Sequence, residues 1–144
     1  MLLQGPGIAE DRAVDALTNH VDLVPTFLEL AGCAAEEQSF DGQSLVPLLQ
    51  DDTPSLRRFD FGEYHPSAKP ELYNQTVRTA EWRLTIYPKN PEWGELFDLE
   101  SDPGEHRNLY FEAGVGSIRK ELEQVLAREF PPKDSVDNEW LCKW

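Results

Sequence analysis

The chain has 144 residues, which predicts one domain with enough length for a hydrophobic core. Its content of 40% hydrophobic and 10% aromatic residues argues against a disordered chain. The formal net charge of −14 argues against nucleic acid and anionic membranes as partners, because both require a basic protein surface.

The amino-terminal segment predicts a strand that needs a partner. Met1 to Ile8 begins with apolar residues and enters a Gly-Pro-Gly turn. Because a strand at this position needs neighbours to pair with, we expect Met1 to be an internal residue of a longer chain.

The two cysteines, Cys33 and Cys142, lie near opposite ends of the sequence. This spacing predicts neither a disulfide framework nor a zinc site, and it leaves the cellular compartment open.

A buried helix is predicted over residues 21–31, and either Thr18 or Asn19 can cap its beginning. Pro25 is expected to kink or restart the helix near its beginning, and Gly32 is expected to end it. Four apolar residues follow helical spacing and are expected to face a core: Val24, Phe27, Leu28 and Ala31. The helix is apolar on most sides, so a larger body is expected around it. The isolated chain is therefore expected to expose apolar surface at Leu2, Leu3, Phe27 and Leu28.

The second half predicts an antiparallel meander of about four strands, covered on one face by a helix. The strands are expected at Phe59–Tyr64, Val77–Thr79, Trp82–Tyr87 and Glu95–Leu99. The helix is expected to begin at Ser117 as its cap and to end at Pro131-Pro132. Its apolar residues recur at helical spacing: Val115, Ile118, Leu122, Val125 and Leu126.

The run from Glu95 to Leu109 predicts a short buried strand followed by one capped helical turn. Asp102 can cap this turn, Pro103 suits its first position, and Glu105 lies three residues after the cap. Asn108 tolerates the left-handed conformation that ends such a turn. Without further comparison, this run is a strand and turn with no group placed for proton transfer or metal binding.

Three blocks in this order resemble the carboxy-terminal portion of type I (formylglycine-dependent) sulfatases. They are Val21–Thr26 with Leu30–Gly32, then Asp41–Leu49, and then Val77–Thr79 and Trp82–Leu84 together with the Glu95–Leu109 run. The resemblance covers about residues 1–111 and implies the end of an alkaline-phosphatase-like α/β domain, followed by an α+β subdomain with a four-stranded antiparallel sheet and a helix. The predicted division is 1–50 for the end of the large domain, 51–130 for the subdomain and 131–144 for a tail. Trp140, Leu141 and Trp144 are expected to pack back onto the body or to contact a partner.

The resemblance implies hydrolysis of sulfate esters with a formylglycine nucleophile and a calcium ion in the full-length enzyme. Neither Cys33 nor Cys142 begins the C-x-P-S-R motif that the family converts to formylglycine, and the paired aspartates of its calcium site are not recognisable in this sequence. No catalytic or metal residue is therefore predicted here, and the chain alone is expected to be inactive. Its expected partner is the missing amino-terminal sulfatase domain, and a sulfate-ester substrate is expected only for the full-length protein.

Three residues are predicted to border the substrate cleft: Glu63, His65 and Arg78. His65 begins a loop with further candidate contacts, among them Lys69, Glu71, Tyr73 and Asn74, although a solvated loop is the alternative interpretation.

Two other functions of the chain stay open. The chain could be a separate protein-binding module, or a fragment of a related phosphoester hydrolase of the alkaline phosphatase superfamily.

Overall fold

The computed structural model of the chain describes residues 1–33, 40–50 and 53–131. Its central feature is a four-stranded antiparallel sheet in the order β1-β2-β3-β4. The strands are β1 (Asp60–Tyr64), β2 (Asn74–Arg78), β3 (Trp82–Ile86) and β4 (Gly94–Asp98). Each strand pairs with its neighbour in sequence, which confirms the predicted meander.

One face of the sheet is covered by the carboxy-terminal helix α3 (Gly116–Glu129). Val77, Leu84 and Leu96, one from each of β2, β3 and β4, form the core with residues of α3 and with Tyr110. All five apolar positions predicted for the helix lie in this core or pack against it: Val115, Ile118, Leu122, Val125 and Leu126. The alternation of the strands and the spacing of the helix therefore predicted these parts of the core, whereas Tyr110 was not predicted.

The start of α3 differs from the prediction. Ser117 is the second residue of the helix and not its cap, and the capping position is Val115, which makes no side-chain capping bond. The reason is a 3-10 turn over Ala113–Val115 that runs directly into α3, with the backbone N–H of Gly116 donating to the carbonyl of Ala113. This turn satisfies backbone groups that a side chain would otherwise cap.

The amino-terminal part contains a 3-10 turn at His20–Asp22, helix α1 (Leu23–Leu30) and helix α2 (Val46–Gln50). Asn19, one of the two predicted caps, accepts a hydrogen bond from the His20 backbone N–H at 2.6 Å. The Asp22 carboxylate accepts from the Asn19 N–H at 2.7 Å, which completes a capping box. Gly32 ends the segment with φ of +68°, as predicted, since glycine tolerates this backbone conformation.

Two expectations for this part are wrong. Met1 to Ile8 form no strand, and the Ile8 N–H instead closes the predicted turn onto the Gly5 carbonyl at 3.2 Å. The predicted core side of α1 is not covered by the described residues: Val24 and Phe27 are each 54% exposed, Ala31 is also exposed, and the buried residues of α1 are Pro25 and Thr26. The exposure of Phe27 agrees with the expectation that the isolated chain exposes apolar surface there. Periodicity identifies the apolar side of a helix, but nothing in the described residues covers this side.

Asp22 connects the amino-terminal part to the sheet. Its carboxylate is fully buried and accepts from Arg57 Nη2 at 2.5 Å and from the Gln43 backbone N–H at 2.9 Å. Arg57 also donates to Asp60 of β1 at 3.2 Å. The Thr26 hydroxyl donates to the Asp22 carbonyl at 2.6 Å. Three separate stretches of the chain therefore meet at this residue: residues 19–26, Gln43 and residues 57–60.

The loop after β4 is not the capped helical turn that the sequence predicted. Residues 102–105 form a β-turn, in which the Glu105 N–H donates to the Asp102 carbonyl at 3.0 Å, and the left-handed residue is Glu105, with φ of +56°. The Glu105 carboxylate forms an ion pair with Arg83 of β3 instead of completing a capping box. The Asn108 side chain braces β4 by accepting from the Leu96 N–H at 3.0 Å and donating to the Gly94 carbonyl at 2.9 Å.

Candidate functional site

A cluster of polar and aromatic side chains lies at the end of β1 and the beginning of β2. The Nε2 of His65 lies 3.0 Å from a carboxylate oxygen of Glu63, and its ring stacks on Tyr73 with ring centroids 4.3 Å apart. The Tyr73 hydroxyl donates to the other carboxylate oxygen of Glu63. Gln75 donates to the Tyr73 hydroxyl at 2.5 Å and to Glu63 at 3.4 Å. We call these four residues the Glu63 cluster.

Hydrogen bonds within the Glu63 cluster favour an ionised Glu63 carboxyl and a protonated Tyr73 hydroxyl. Partial burial raises the pKa of the Glu63 carboxyl, but hydrogen bonds from Tyr73, His65 and Gln75 outweigh burial and lower that pKa below its ordinary value. Burial, the hydrogen bond to Glu63 and the charge of that carboxylate raise the pKa of Tyr73 to about 12. At neutral pH the cluster therefore contains a carboxylate and a protonated phenol that donates to it.

The strand positions explain why these residues meet. Glu63 and Gln75 are register partners in the β1–β2 pair. Both lie on the face covered by α3, because Phe61 and Val77, two residues away on each strand, belong to or pack against the core. Tyr73 follows the 3-10 turn at Pro70–Leu72, which returns the chain to the sheet beside His65.

The four residues of the Glu63 cluster line an open groove of about 910 Å³, to which the sheet and the end of α3 both contribute. Its lining is mainly apolar and includes Pro70, Ile86, Pro88, Ala127, Phe130 and Pro131. Besides the cluster, three charged side chains line the groove, one basic and two acidic: Lys89, Glu123 and Glu129. A mainly apolar groove with a few polar side chains is typical of a ligand site.

The structure does not bring Arg78 to this cluster. Arg78 is at the opposite end of β2 from Gln75, where its register partners are Asp60 and Arg83. Because its neighbour Val77 faces α3, the Arg78 side chain lies on the other face of the sheet. On that face, Arg83 forms ion pairs with Glu95 at 3.5 Å and with Glu105, and its guanidinium lies over the Phe97 ring.

Sequence reasoning found most of this cluster but missed one member. Glu63 and His65 were predicted as site residues, and Tyr73 was named among the candidate contacts of the following loop. Gln75 was not predicted, although alternation from the apolar Val77 would have placed it on the same face. The stacking of His65 on Tyr73 depends on the fold of the intervening loop, which local sequence signals do not define.

The calcium ion and formylglycine implied by the resemblance do not fit the residues of this chain that the structure describes. Within residues 1–33, 40–50 and 53–131, no group of three or more His, Cys, Asp or Glu side chains could hold a metal ion. Cys33 is exposed and carries no family motif. None of the described helices combines the length and apolar character needed to cross a membrane.

Comparison with protein families gives a match over nearly the whole described chain. Residues 1–130 match the family described as N-sulphoglucosamine sulphohydrolase, C-terminal. An N-acetylglucosamine-6-O-sulfatase of Bacteroides thetaiotaomicron is 32% identical over 86% of this chain and 23% of its own length. Arylsulfatase K of Gallus gallus is also 32% identical, over 88% of this chain and 25% of its own length. The chain thus spans about a quarter of these relatives.

Solved structures agree with this match. A 2-O GAG sulfatase superposes with a TM-score of 0.74 at 30% identity, over 87% of this chain and 28% of that protein. A phosphonate monoester hydrolase from Silicibacter pomeroyi gives a TM-score of 0.72 at 23% identity, over 88% of this chain and 27% of that protein. This second likeness supports the fold alone. The sheet and helix are therefore those of the alkaline-phosphatase-like sulfatase fold.

Proposed function

Because the chain belongs to the N-sulphoglucosamine sulphohydrolase, C-terminal family, we propose that it forms the carboxy-terminal subdomain of an enzyme that hydrolyses sulfate esters. Its role in that enzyme is to border the substrate cleft. Any calcium ion and formylglycine belong to the preceding catalytic domain, which supplies the nucleophile and the metal.

The observation that carries this proposal is the Glu63 cluster. His65 has a side chain 41% exposed, yet its orientation is fixed by the stack on Tyr73 and the contact with Glu63. A polar group that is accessible and held in one orientation is suited to ligand recognition, because little conformational entropy is lost when the ligand binds. Glu63 can accept hydrogen bonds from hydroxyl groups, and the Nδ1 of His65, whose Nε2 contacts Glu63, can donate one to a sulfate or hydroxyl oxygen when both ring nitrogens carry a proton.

We propose a sulfated sugar as the substrate class. The support is twofold: one relative is named an N-acetylglucosamine-6-O-sulfatase and one structural neighbour a 2-O GAG sulfatase. Sugar hydroxyls match the acceptor oxygens of Glu63. Lys89 lines the same groove and can donate to a sulfate oxygen, while Glu63, Glu123 and Glu129, which also line it, can accept from hydroxyl or amine groups of the sugar.

The proposed partner surface is the apolar side of α1. Val21, Val24 and Phe27 are 46%, 54% and 54% exposed, and Leu2 is 92% exposed. In a sulfatase of four times this length, we propose that the preceding α/β domain covers this side. Leu3 and Leu28, which were also expected to be exposed, are half-buried and contribute less.

The apolar side of α1 is expected to bind a dye whose fluorescence rises on apolar surfaces. Replacing Val24 and Phe27 together with glutamine should reduce dye binding and change the free energy of unfolding by less than about 0.5 kcal/mol, because both side chains are already exposed. Glu29→Gln on the same helix is the matched control. Dye binding that is unchanged in the double variant would count against this surface.

The enzymatic part of the proposal is tested first by assaying the purified chain with an aryl sulfate. No turnover is expected, because no residue of this sequence begins a C-x-P-S-R motif. Turnover by the chain alone would overturn the assignment of the chemistry to a preceding domain. Reading the DNA upstream of Met1 for an in-frame C-x-P-S-R motif then identifies the protein for the second test.

In the protein that carries both parts, His65→Ala should reduce kcat/KM for a sulfated amino sugar about tenfold or more. That is the effect of losing one hydrogen bond to a charged group. The change should fall mainly on KM, because His65 contacts the substrate away from the reacting atoms. His106→Ala removes another exposed histidine and is the control.

Three results would count against the proposal. Equal kcat/KM values for His65→Ala and His106→Ala would remove the substrate role of the cluster. Hydrolysis of a phosphate diester but of no sulfate ester would leave the fold assignment intact and overturn the sulfatase activity. A preceding domain without the motif would favour the alternative of a protein-binding module.

A further inference from the structure

Tyr73 contacts both residues on which the proposed function depends. Its ring stacks on the imidazole of His65, with ring centroids 4.3 Å apart and an angle of 28° between the ring planes. Its hydroxyl donates to one carboxylate oxygen of Glu63, and the Nε2 of His65 lies 3.0 Å from the other oxygen. The ring and the hydroxyl of Tyr73 therefore hold two different side chains.

The hydrogen bonds of the Tyr73 hydroxyl leave no proton for a ligand. A phenol has one proton, and this one is donated to Glu63. The side-chain amide of Gln75 donates to the same hydroxyl at 2.5 Å, so the phenol oxygen is an acceptor on that side. Because Gln75 is only 9% exposed, this second hydrogen bond comes from within the fold. Tyr73 was predicted among the candidate ligand contacts of the loop, and these hydrogen bonds indicate a different role.

The stack of Tyr73 on His65 also joins the two ends of the loop between β1 and β2. His65 directly follows β1, and Tyr73 directly precedes β2. Loss of the Tyr73 ring would remove an apolar contact of the imidazole and give His65 rotamers that the stack excludes. Ordering those rotamers again when a ligand binds would cost conformational entropy and weaken binding.

We propose that Tyr73 is the positioning residue of this site: its ring orients the His65 imidazole, its hydroxyl orients the Glu63 carboxylate, and it does not touch the substrate itself. This role rests on the proposed function, in which His65 and Glu63 bind the substrate, and adds the residue that orders them. It depends on residues 63–75 alone. Trp140, Leu141 and Trp144, for which packing onto the body was one expectation, lie outside the residues that the structure describes.

The first test measures the orientation of His65 in the chain itself, by the NMR signal of its ring Cε1–H, which the stacked Tyr73 ring shifts. The chain has three histidines, and His65→Ala identifies the signal. Tyr73→Leu should move the signal to its position in urea, whereas Tyr73→Phe keeps the ring and should keep most of the shift. Tyr87→Leu is the matched control and should leave the signal unchanged. Tyr87 is also half-buried, and its hydroxyl also donates to a carboxylate, that of Glu95 at 3.0 Å, on the other face of the sheet.

The second test measures kinetics in the protein that carries both parts. Tyr73→Leu should raise KM for a sulfated amino sugar about tenfold and change kcat by less than about twofold, because neither Tyr73 nor His65 lies at the reacting atoms. Tyr73→Phe should raise KM about threefold, the effect of one lost hydrogen bond, and Tyr87→Leu should leave KM unchanged. Added to His65→Ala, Tyr73→Leu should raise KM by less than about threefold further, because two residues that act as a unit are not additive.

Two results would overturn the role of Tyr73 and leave the substrate role of His65 intact. One is a His65 signal that Tyr73→Leu does not move. The other is a rise in KM for Tyr73→Leu that is fully retained in the His65→Ala background, because Tyr73 would then contact the substrate itself. A different result identifies failure of the proposed function: KM would be the same in His65→Ala, Tyr73→Leu and the parent, while Tyr73→Leu still moves the His65 signal. The positioning of His65 by Tyr73 would then stand without a substrate role.

Discussion

Replacing Asp22 with alanine is expected to lower the free energy of unfolding by about 3–5 kcal/mol, the range found when one partner of a buried ion pair is removed. The Asp22 carboxylate is fully buried and accepts hydrogen bonds from Arg57 and from the backbone N–H groups of Asn19 and Gln43. Its loss would leave the Arg57 guanidinium, whose side chain is only 13% exposed, without its closest carboxylate.

Denaturant unfolding of the chain measures this loss. Glu29→Ala is the matched control, because Glu29 is an exposed carboxylate on the adjoining helix, and its replacement should change the free energy of unfolding by less than about 0.5 kcal/mol. Asp22→Asn should fall between the two, because the amide keeps the shape and loses the charge that Arg57 requires. A loss below about 1 kcal/mol for Asp22→Ala would contradict the proposed role of this carboxylate.

The Asp22 effect should also depend on pH in one direction. Burial raises the pKa of the Asp22 carboxyl, but the hydrogen bond from Arg57 and those from the Gln43 and Asn19 backbone outweigh it and leave the pKa below its ordinary value of 3.8. A lowered pKa in the folded state means that the ionised carboxylate stabilises the fold fully above the unfolded pKa. This stabilisation is lost as the pH falls through the folded pKa. The stability difference between parent and Asp22→Asn should therefore be constant near neutral pH and shrink below about pH 4.

The sheet and its covering helix were predictable because their signals are local and periodic. Trp82, Leu84 and Ile86 alternate with polar residues, and all three lie in the core or pack against it. In the same way, the spacing of the apolar residues in α3 predicted which side of the helix is buried. Glu63 and His65 are two positions apart at the end of β1, so two of the three predicted site residues are in contact.

Three errors share one physical cause, since each depended on contacts that are distant in sequence, whereas the Ser117 cap was displaced by the local 3-10 turn at Ala113–Val115. Glu105 was expected to close a local capping box, but its carboxylate pairs with Arg83, twenty-two positions earlier. Val24 and Phe27 have helical spacing, yet no described segment covers them. Arg78 was grouped with Glu63 and His65, whereas the strand register places it at the other end of β2 and on the other face.

Gly94→Ala is expected to destabilise the chain by about 3 kcal/mol, the upper part of the range for overpacking a core. A Cβ at residue 94 would lie 2.2 Å from the ring of Tyr110. That ring is 8% exposed, lies under the Arg119 guanidinium at 4.9 Å and donates its hydroxyl to Glu123 at 3.4 Å. The Gly94 carbonyl is itself held by Asn108, so neither the ring nor the strand can move without losing contacts.

Gly62→Ala is the control for backbone effects, because Gly62 also lies within a strand but its added Cβ would be 4.0 Å from the nearest atom, the Thr76 Cβ. This variant should be neutral or stabilised by about 0.5–1 kcal/mol, since alanine restricts the unfolded chain. Equal effects of the two substitutions, measured by denaturant unfolding, would show that contact with Tyr110 is not the cause.

A double-mutant cycle assigns the Gly94 effect to the Tyr110 ring. Tyr110→Leu alone should be destabilising, because it removes a buried ring from the core. In that background, however, Gly94→Ala should cost much less than in the parent, with a coupling of about 1–3 kcal/mol between the two positions. Additive losses would mean that the added methyl group disturbs the β3–β4 pairing instead.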